Sequence, residues 1–146
     1  MLDTGDTAPD VAFVDENGAL VPLRVLLGRT LVLYFYPKDD TPGCTMEACG
    51  FRDAYNDFLD AGAEVIGVSA DNAASHARFR ERHKLPFRLL SDPGEAARKA
   101  FKVPNTFGIL PGRATFVIEP GGRIVYAFNS QFNPQGHIKN ALAAIK

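Results

Sequence analysis

The chain has 146 residues, 46% of them hydrophobic and 23% charged, with a formal net charge of -1 and two cysteines. Sixteen Lys and Arg against seventeen Asp and Glu give no basic footprint for nucleic acid, and two cysteines are too few for a secreted disulfide framework. No apolar run approaches the ~20 residues that span a bilayer, and no basic start followed by an apolar run opens the chain, so the expectation is a single cytoplasmic domain over residues 1–146 with reduced thiols and neither nucleic-acid nor membrane partners.

The predicted elements alternate along the chain. Residues 8–22 read as two short strands around a turn at Asn17-Gly18, a dipeptide that favours hairpins. Residues 31–36 are a continuous apolar run, the pattern of a strand buried on both faces, and Pro37 ends it. From Thr45 to Asp60 the period changes: Phe51, Ala54, Tyr55, Phe58 and Leu59 form one helical stripe, with Gly62 just past its end. A second buried strand covers 65–68, a helix 72–84, a short strand 87–90 and a short helix 95–101. Strands at 114–118 and 124–128 flank Pro120-Gly121-Gly122 as a hairpin, and a helix over 134–145 closes the chain. The order β-β-β-α-β-α-β-α-β-β-α predicts an α/β fold: a mixed central sheet flanked by helices, compatible with a thioredoxin-like core carrying an N-terminal β-hairpin. Periodicity alone does not select that fold over another small α/β layer.

The stretch from Tyr36 to Cys49 carries the chemistry. Thr41 is a good N-cap, and Pro42 suits the first helical position, where its missing N–H costs nothing. Gly43 and Cys44 follow in the first turn, where amide N–H groups have no intrahelical partner. A helix N-terminus favours thiolate over thiol, and its free amides can hold an anion. Two readings of Cys44 stand at this point: an inert small hydrophobe, which belongs on the apolar stripe, or a reactive thiol, which belongs in the cap. Its position in Thr-Pro-Gly-Cys favours the second. Cys49 lies five residues on, so an intact helix holds the two Cα atoms roughly 8–9 Å apart, beyond the ~7 Å limit for a disulfide. The pair can join only if the first turns unwind. Gly50 weakens the helix by roughly 1 kcal/mol relative to Ala, which suggests that it helps the helix to open. Cys49 as a core residue at the edge of the stripe is an equally open reading.

Pro37-x-x-x-Thr41-x-x-Cys44 resembles the active-site motif of the peroxiredoxins. Phe35-Tyr36-Pro37-Lys38, then Thr41-Pro42-Gly43-Cys44-Thr45, Glu47 and Cys49, resembles their Q-type subgroup, the bacterioferritin comigratory proteins. Gly5-Asp6-x-Ala8-Pro9-Asp10, Leu89-Leu90-Ser91-Asp92 and Arg113-Ala114-Thr115-Phe116-Val117-Ile118 extend the resemblance over nearly the whole chain. Glu119 stands where the pattern has aspartate, and residues 102–111 hold nothing diagnostic of substrate.

The resemblance implies a thioredoxin-dependent peroxidase that needs no cofactor. Cys44 is then the peroxidatic cysteine. Thr41 bonds the thiolate and the peroxide through its hydroxyl, Arg113 stabilises both, and Pro37 shields the sulfur from water. Gly43, Cys44, Thr41 and Arg113 bind the substrate. Sequence context alone leaves Arg113 open as a solvated surface arginine. Cys49 is the resolving cysteine, closing an intramolecular disulfide with the Cys44 sulfenic acid, and thioredoxin or a similar dithiol restores both thiols. Glu47 is expected to support Arg113 or Arg52, and the subgroup implies a monomer. His76, His83 and His137 are scattered with no metal-ligand spacing, and His76 and His83 are expected on a solvated helix face. Two other functions fit a cysteine pair: a thioredoxin-like disulfide reductase, which usually needs Cys-x-x-Cys, and a non-catalytic redox-sensing or holdase module.

Overall fold

Strands and helices follow the predicted order in a computed structural model of the chain, which describes residues 1–105 and 111–145. Residues 106–110, inside the undiagnostic 102–111 segment, lie outside the described residues. The strands are β1 (Ala12–Val14), β2 (Leu20–Pro22), β3 (Thr30–Phe35), β4 (Ala63–Ser69), β5 (Arg88–Ser91), β6 (Ala114–Ile118) and β7 (Ile124–Asn129). The helices are α1 (Pro42–Asp60), α2 (Ala73–His83), α3 (Ala96–Ala100) and α4 (Pro134–Ile145). Two single-turn 3-10 helices, at Leu23–Leu26 and Pro93–Glu95, had no clear sequence signal.

All seven strands join one mixed sheet in the order β2-β1-β5-β4-β3-β6-β7. β3, β4 and β5 are parallel; β6 pairs antiparallel with β3, and the β1–β2 hairpin extends the other edge through β5. This is the thioredoxin-like arrangement with an N-terminal hairpin. Successive residues of a strand point to opposite faces, and β3 divides the core accordingly. Val32 and Tyr34 face α1, α2 and α4 with Phe51, Phe79 and Ile138, while Leu31, Leu33 and Phe35 face Leu23, Ala97 and Phe101. Phe51 stacks on Tyr34 with ring centroids 4.5 Å apart, which fixes α1 against the centre of the sheet.

Helix ends follow local chemistry. Thr41 is the extended N-cap of α1 with Pro42 next to it, and Gly62, at φ 82°, takes the left-handed position just past the helix. Asn72 caps α2 by accepting from the Ser75 amide at 2.9 Å. Gly50 also meets a tertiary constraint. A Cβ there would lie 2.9 Å from Ile138 Cδ1 and 3.2 Å from Gln135 Oε1. α4 packs on α1 at that point, so a larger residue there would crowd Ile138, a tertiary contact that helix propensity does not reveal.

Candidate active site

The C-terminal end of β3 runs through Tyr36 and Pro37 into the loop that starts α1. Asp40 takes the left-handed conformation (φ 59°) to turn the chain, a conformation that Asp tolerates better than most residues. The first amide of the helix to find a carbonyl is that of Thr45, which donates to Thr41 O at 2.8 Å. The amides of Gly43 and Cys44 precede it and carry the positive end of the helix dipole. Cys44 sits there almost fully buried, at 1% exposure, and both cysteines are free thiols on α1.

Arg113 comes from the opposite end of the chain to meet it. β6 pairs with β3 in the register Phe35↔Ala114, so Arg113 stands beside Tyr36 where the ladder stops. Its parity places it with Thr115 and Val117 on the α1 side of the sheet. Arg113 Nη2 donates to Cys44 Sγ at 3.4 Å, Nη1 to Glu47 Oε1 at 2.6 Å and Nε to the Gln131 carbonyl at 3.3 Å. A planar guanidinium held on three sides presents a fixed positive charge to the sulfur. Gly43 leaves it room: a Cβ at that residue would come within 3.0 Å of Nη2.

Pro37, Thr41, Gly43, Cys44, Arg113, Gln131 and Phe132 line a cavity of about 280 Å³, so all of the expected site residues but Cys49 converge on it. Thr41 departs from expectation in one respect. Its hydroxyl donates to the Lys38 carbonyl at 2.8 Å instead of bonding Cys44, the local bond a Ser or Thr makes to nearby backbone. Cys49 lines a separate groove with Met46, Asp53 and Gln135. The two sulfurs are thus presented to different surfaces of one unbroken helix.

Behind Arg113 lies a buried polar layer that the sequence reading touched only at Glu47. Glu47 is fully buried, and burial pushes its carboxyl up to about 8 against the pull of Arg113. His137, also fully buried, donates from Nε2 to the Ser130 carbonyl at 2.7 Å and accepts from the Thr115 hydroxyl at Nδ1, 2.8 Å away. Burial lowers its pKa to about 4, with Arg113 acting in the same direction and the Ser130 carbonyl opposing, so the ring is neutral near pH 7. Arg52, the other expected partner of Glu47, turns instead to Asp53 and the His83 carbonyl.

His76 corrects a sequence expectation. It is 3% exposed and not on a solvated face: Nδ1 lies 2.8 Å from Asp39 Oδ2 and Nε2 3.2 Å from the Leu90 carbonyl. Asp39 also accepts from Tyr36 Oη at 2.6 Å and Ser75 Oγ at 2.8 Å, and its amide donates to Asp71 at 2.8 Å. This network ties the Cys44 loop to α2 and β5. His83, at the end of α2, is part-exposed and lies 3.5 Å from Asp40. Among the described residues, no group of three or more His, Cys, Asp or Glu is placed to hold a metal ion.

Comparison with known proteins agrees with this geometry. Residues 4–127 match the AhpC/TSA family. The chain is 50% identical over 146 residues to the chloroplastic peroxiredoxin Q of Oryza sativa subsp. japonica, covering 99% of this chain and 67% of the relative. It is 49% identical to that of Arabidopsis thaliana, covering 99% and 68%. Among solved structures, peroxidoxin BcpB of Mycobacterium tuberculosis superposes with a TM-score of 0.90 at 36% identity, covering 99% of this chain and 97% of that one. Xanthomonas campestris peroxiredoxin Q gives 0.82 at 38% identity, covering 92% and 89%. With a first-turn helix cysteine under a buried arginine, and matched along its length by Q-type proteins, the chain belongs to the AhpC/TSA family of peroxiredoxins, the thiol-dependent peroxidases.

Proposed function

We propose that Cys44 is the peroxidatic residue for hydrogen peroxide and organic hydroperoxides, with Cys49 as its resolving partner. The observation that carries this reading is the 3.4 Å contact from Arg113 Nη2 to a sulfur held among unpaired helix-terminal amides. The Cys44 thiolate attacks the outer oxygen of the peroxide. The O–O bond breaks, the sulfur becomes a sulfenic acid, and the departing alkoxide or hydroxide takes a proton from water. Charge grows on both oxygens as that bond stretches, and preorganised donors stabilise it. Arg113 and the amides of Gly43 and Cys44 are those donors. Thr41 lines the same cavity, and its hydroxyl would turn from the Lys38 carbonyl to the peroxide. Pro37, half-buried on the rim, limits access of water.

A cavity of about 280 Å³ with Phe132 on its rim exceeds the needs of a molecule of two oxygens, since a water occupies roughly 30 Å³ of liquid. An alkyl tail can occupy the remainder, which supports organic hydroperoxides as substrates.

The sulfenic acid then condenses with the Cys49 thiol, releasing water and forming an S–S bond. The helix must unwind for this, because its geometry keeps the two Cα atoms roughly 8–9 Å apart. A dithiol of the thioredoxin type reduces the disulfide by exchange. The subgroup supports a monomer, to be checked by sedimentation, and the cysteine usage supports a cytoplasmic setting, to be checked by fractionation.

Peroxide-dependent NADPH oxidation with thioredoxin and its reductase tests the proposal. Cys44→Ser should abolish turnover. Cys49→Ser should leave one stoichiometric peroxide reduction and lose recycling. Equal activity in the two variants would rule out the assignment of roles.

A further inference from the structure

We propose that Arg98, on α3, is a positioning residue for peroxide reduction: it fastens together the ends of β3 and β6 that carry Pro37 and Arg113. The inference rests on Cys44 being the peroxidatic residue.

The need for such a fastening follows from the register. β3 and β6 pair as far as Phe35↔Ala114. Continued by two residues, the same register sets Pro37 opposite Gly112. Proline has no N–H, so it cannot donate to the carbonyl across from it and the ladder ends there. Both segments that build the active site begin at this unpaired end.

The Arg98 guanidinium fills the gap. Nη1 donates to the Gly112 carbonyl, and Nη2 donates to the Tyr36 carbonyl at 3.1 Å. These are the peptide groups immediately before Arg113 and Pro37. A single rigid fork therefore sets the spacing between them. Arg98 reaches this point from the face opposite Arg113, with its guanidinium carbon 5.8 Å from the Phe35 ring centroid.

Three further features fix the fork. Asp92 accepts from the Ala97 amide at 2.8 Å and the Arg98 amide at 2.9 Å, which anchors the start of α3. A Cβ on Gly112 would clash with the Pro104 carbonyl oxygen, so the chain leaving α3 packs directly against the segment before Arg113. Arg98 is 4% exposed, yet among the described residues no carboxylate forms an ion pair with its guanidinium. A buried guanidinium without a carboxylate partner is costly unless its hydrogen bonds are well made. Burial lowers the Arg98 pKa, while the nearby Glu95 and Asp92 carboxylates oppose that shift.

Arg98→Lys and Arg98→Met test the role under single-turnover conditions in the Cys49→Ser background, where Cys44 is the one remaining thiol, with two reagents compared: hydrogen peroxide and iodoacetamide. Peroxide cleavage needs the placed donors, whereas alkylation needs only an accessible thiolate. Misplacement by ~1 Å costs about 10²-fold in rate. Arg98→Met should lose about that factor toward peroxide and keep its alkylation rate within about threefold. Arg98→Lys retains the charge without the fork and should show the same selective loss in smaller measure. If Arg98→Met fails to fold, the lysine variant decides. An unchanged peroxide rate in a folded variant would overturn the inference, as would equal losses toward both reagents. An inactive wild-type protein would instead refute the reading of Cys44.

Discussion

Glu47 and Arg113 meet through a single carboxylate oxygen: Oε1 accepts at 2.6 Å, while Oε2 has no hydrogen-bond partner among the described residues and lies 3.6 Å from His137 Nδ1. The same guanidinium bonds Cys44, so the carboxyl sets where the positive charge stands relative to the sulfur.

Removing that carboxyl should be more damaging than neutralising it. Glu47→Ala leaves Arg113 buried without its partner, and breaking a buried pair costs about 3–5 kcal/mol. Glu47→Gln keeps an acceptor for Nη1 and should cost less. Urea unfolding of the two variants measures the difference. Glu47→Gln should also change the pH dependence of stability. Burial raises the Glu47 pKa from 4.5 to about 8 in the folded protein. The folded state therefore holds the proton more tightly than the unfolded state, and stability from this group is complete below 4.5 and is lost as pH rises to about 8. Thermal melts of wild type should fall relative to Glu47→Gln across that window.

His137 should act with the opposite sign. Its pKa falls from 6.5 to about 4 on folding, so the unfolded chain takes the proton first. Stability from this residue is complete above 6.5 and is lost as pH falls toward 4, at no more than about 1.4 kcal/mol per pH unit. His137→Gln should flatten that acid limb in melts recorded between pH 4 and 7.

Gly50→Ala should destabilise the protein in spite of a better helix propensity. The new methyl meets Ile138 Cδ1 at 2.9 Å. Overpacking of this kind costs about 1–3 kcal/mol against a gain of up to ~1 kcal/mol in propensity. Ile138→Val removes the opposing methyl, so Gly50→Ala should be tolerated better in that background. There, with the clash relieved, it should also slow closure of the Cys44–Cys49 disulfide in stopped-flow measurements. Unequal costs in the two backgrounds, read by urea unfolding as a double-mutant cycle, check the first claim.

The parts of the site that were legible in the sequence are those written in local grammar. Thr41-Pro42-Gly43-Cys44 marks a helix start by cap and proline rules alone, and the observed helix starts there. Arg113 came from motif resemblance, because nothing near it in the chain signals the contact with Cys44. His76, Arg98 and His137 escaped for a physical reason: each is a polar residue whose burial depends on partners elsewhere in the chain, up to 62 positions away. Sequence periodicity scores such residues as solvent-facing. The crowding around Gly50 was hidden in the same way, because the side chain it would meet belongs to a helix far along the chain.

Glu47 sits between the two cysteines in the chain, inside the helical segment that the proposed disulfide requires to unwind. Uncovering that segment returns a carboxyl with a folded pKa of about 8 to water, where near pH 7 it surrenders its proton. In the proposed cycle, disulfide closure should then release a proton from a side chain that is not a thiol, which a pH-indicator assay of closure would detect. The dithiol–disulfide balance of that pair should therefore shift toward the oxidised form as pH rises toward 8, and back in acid.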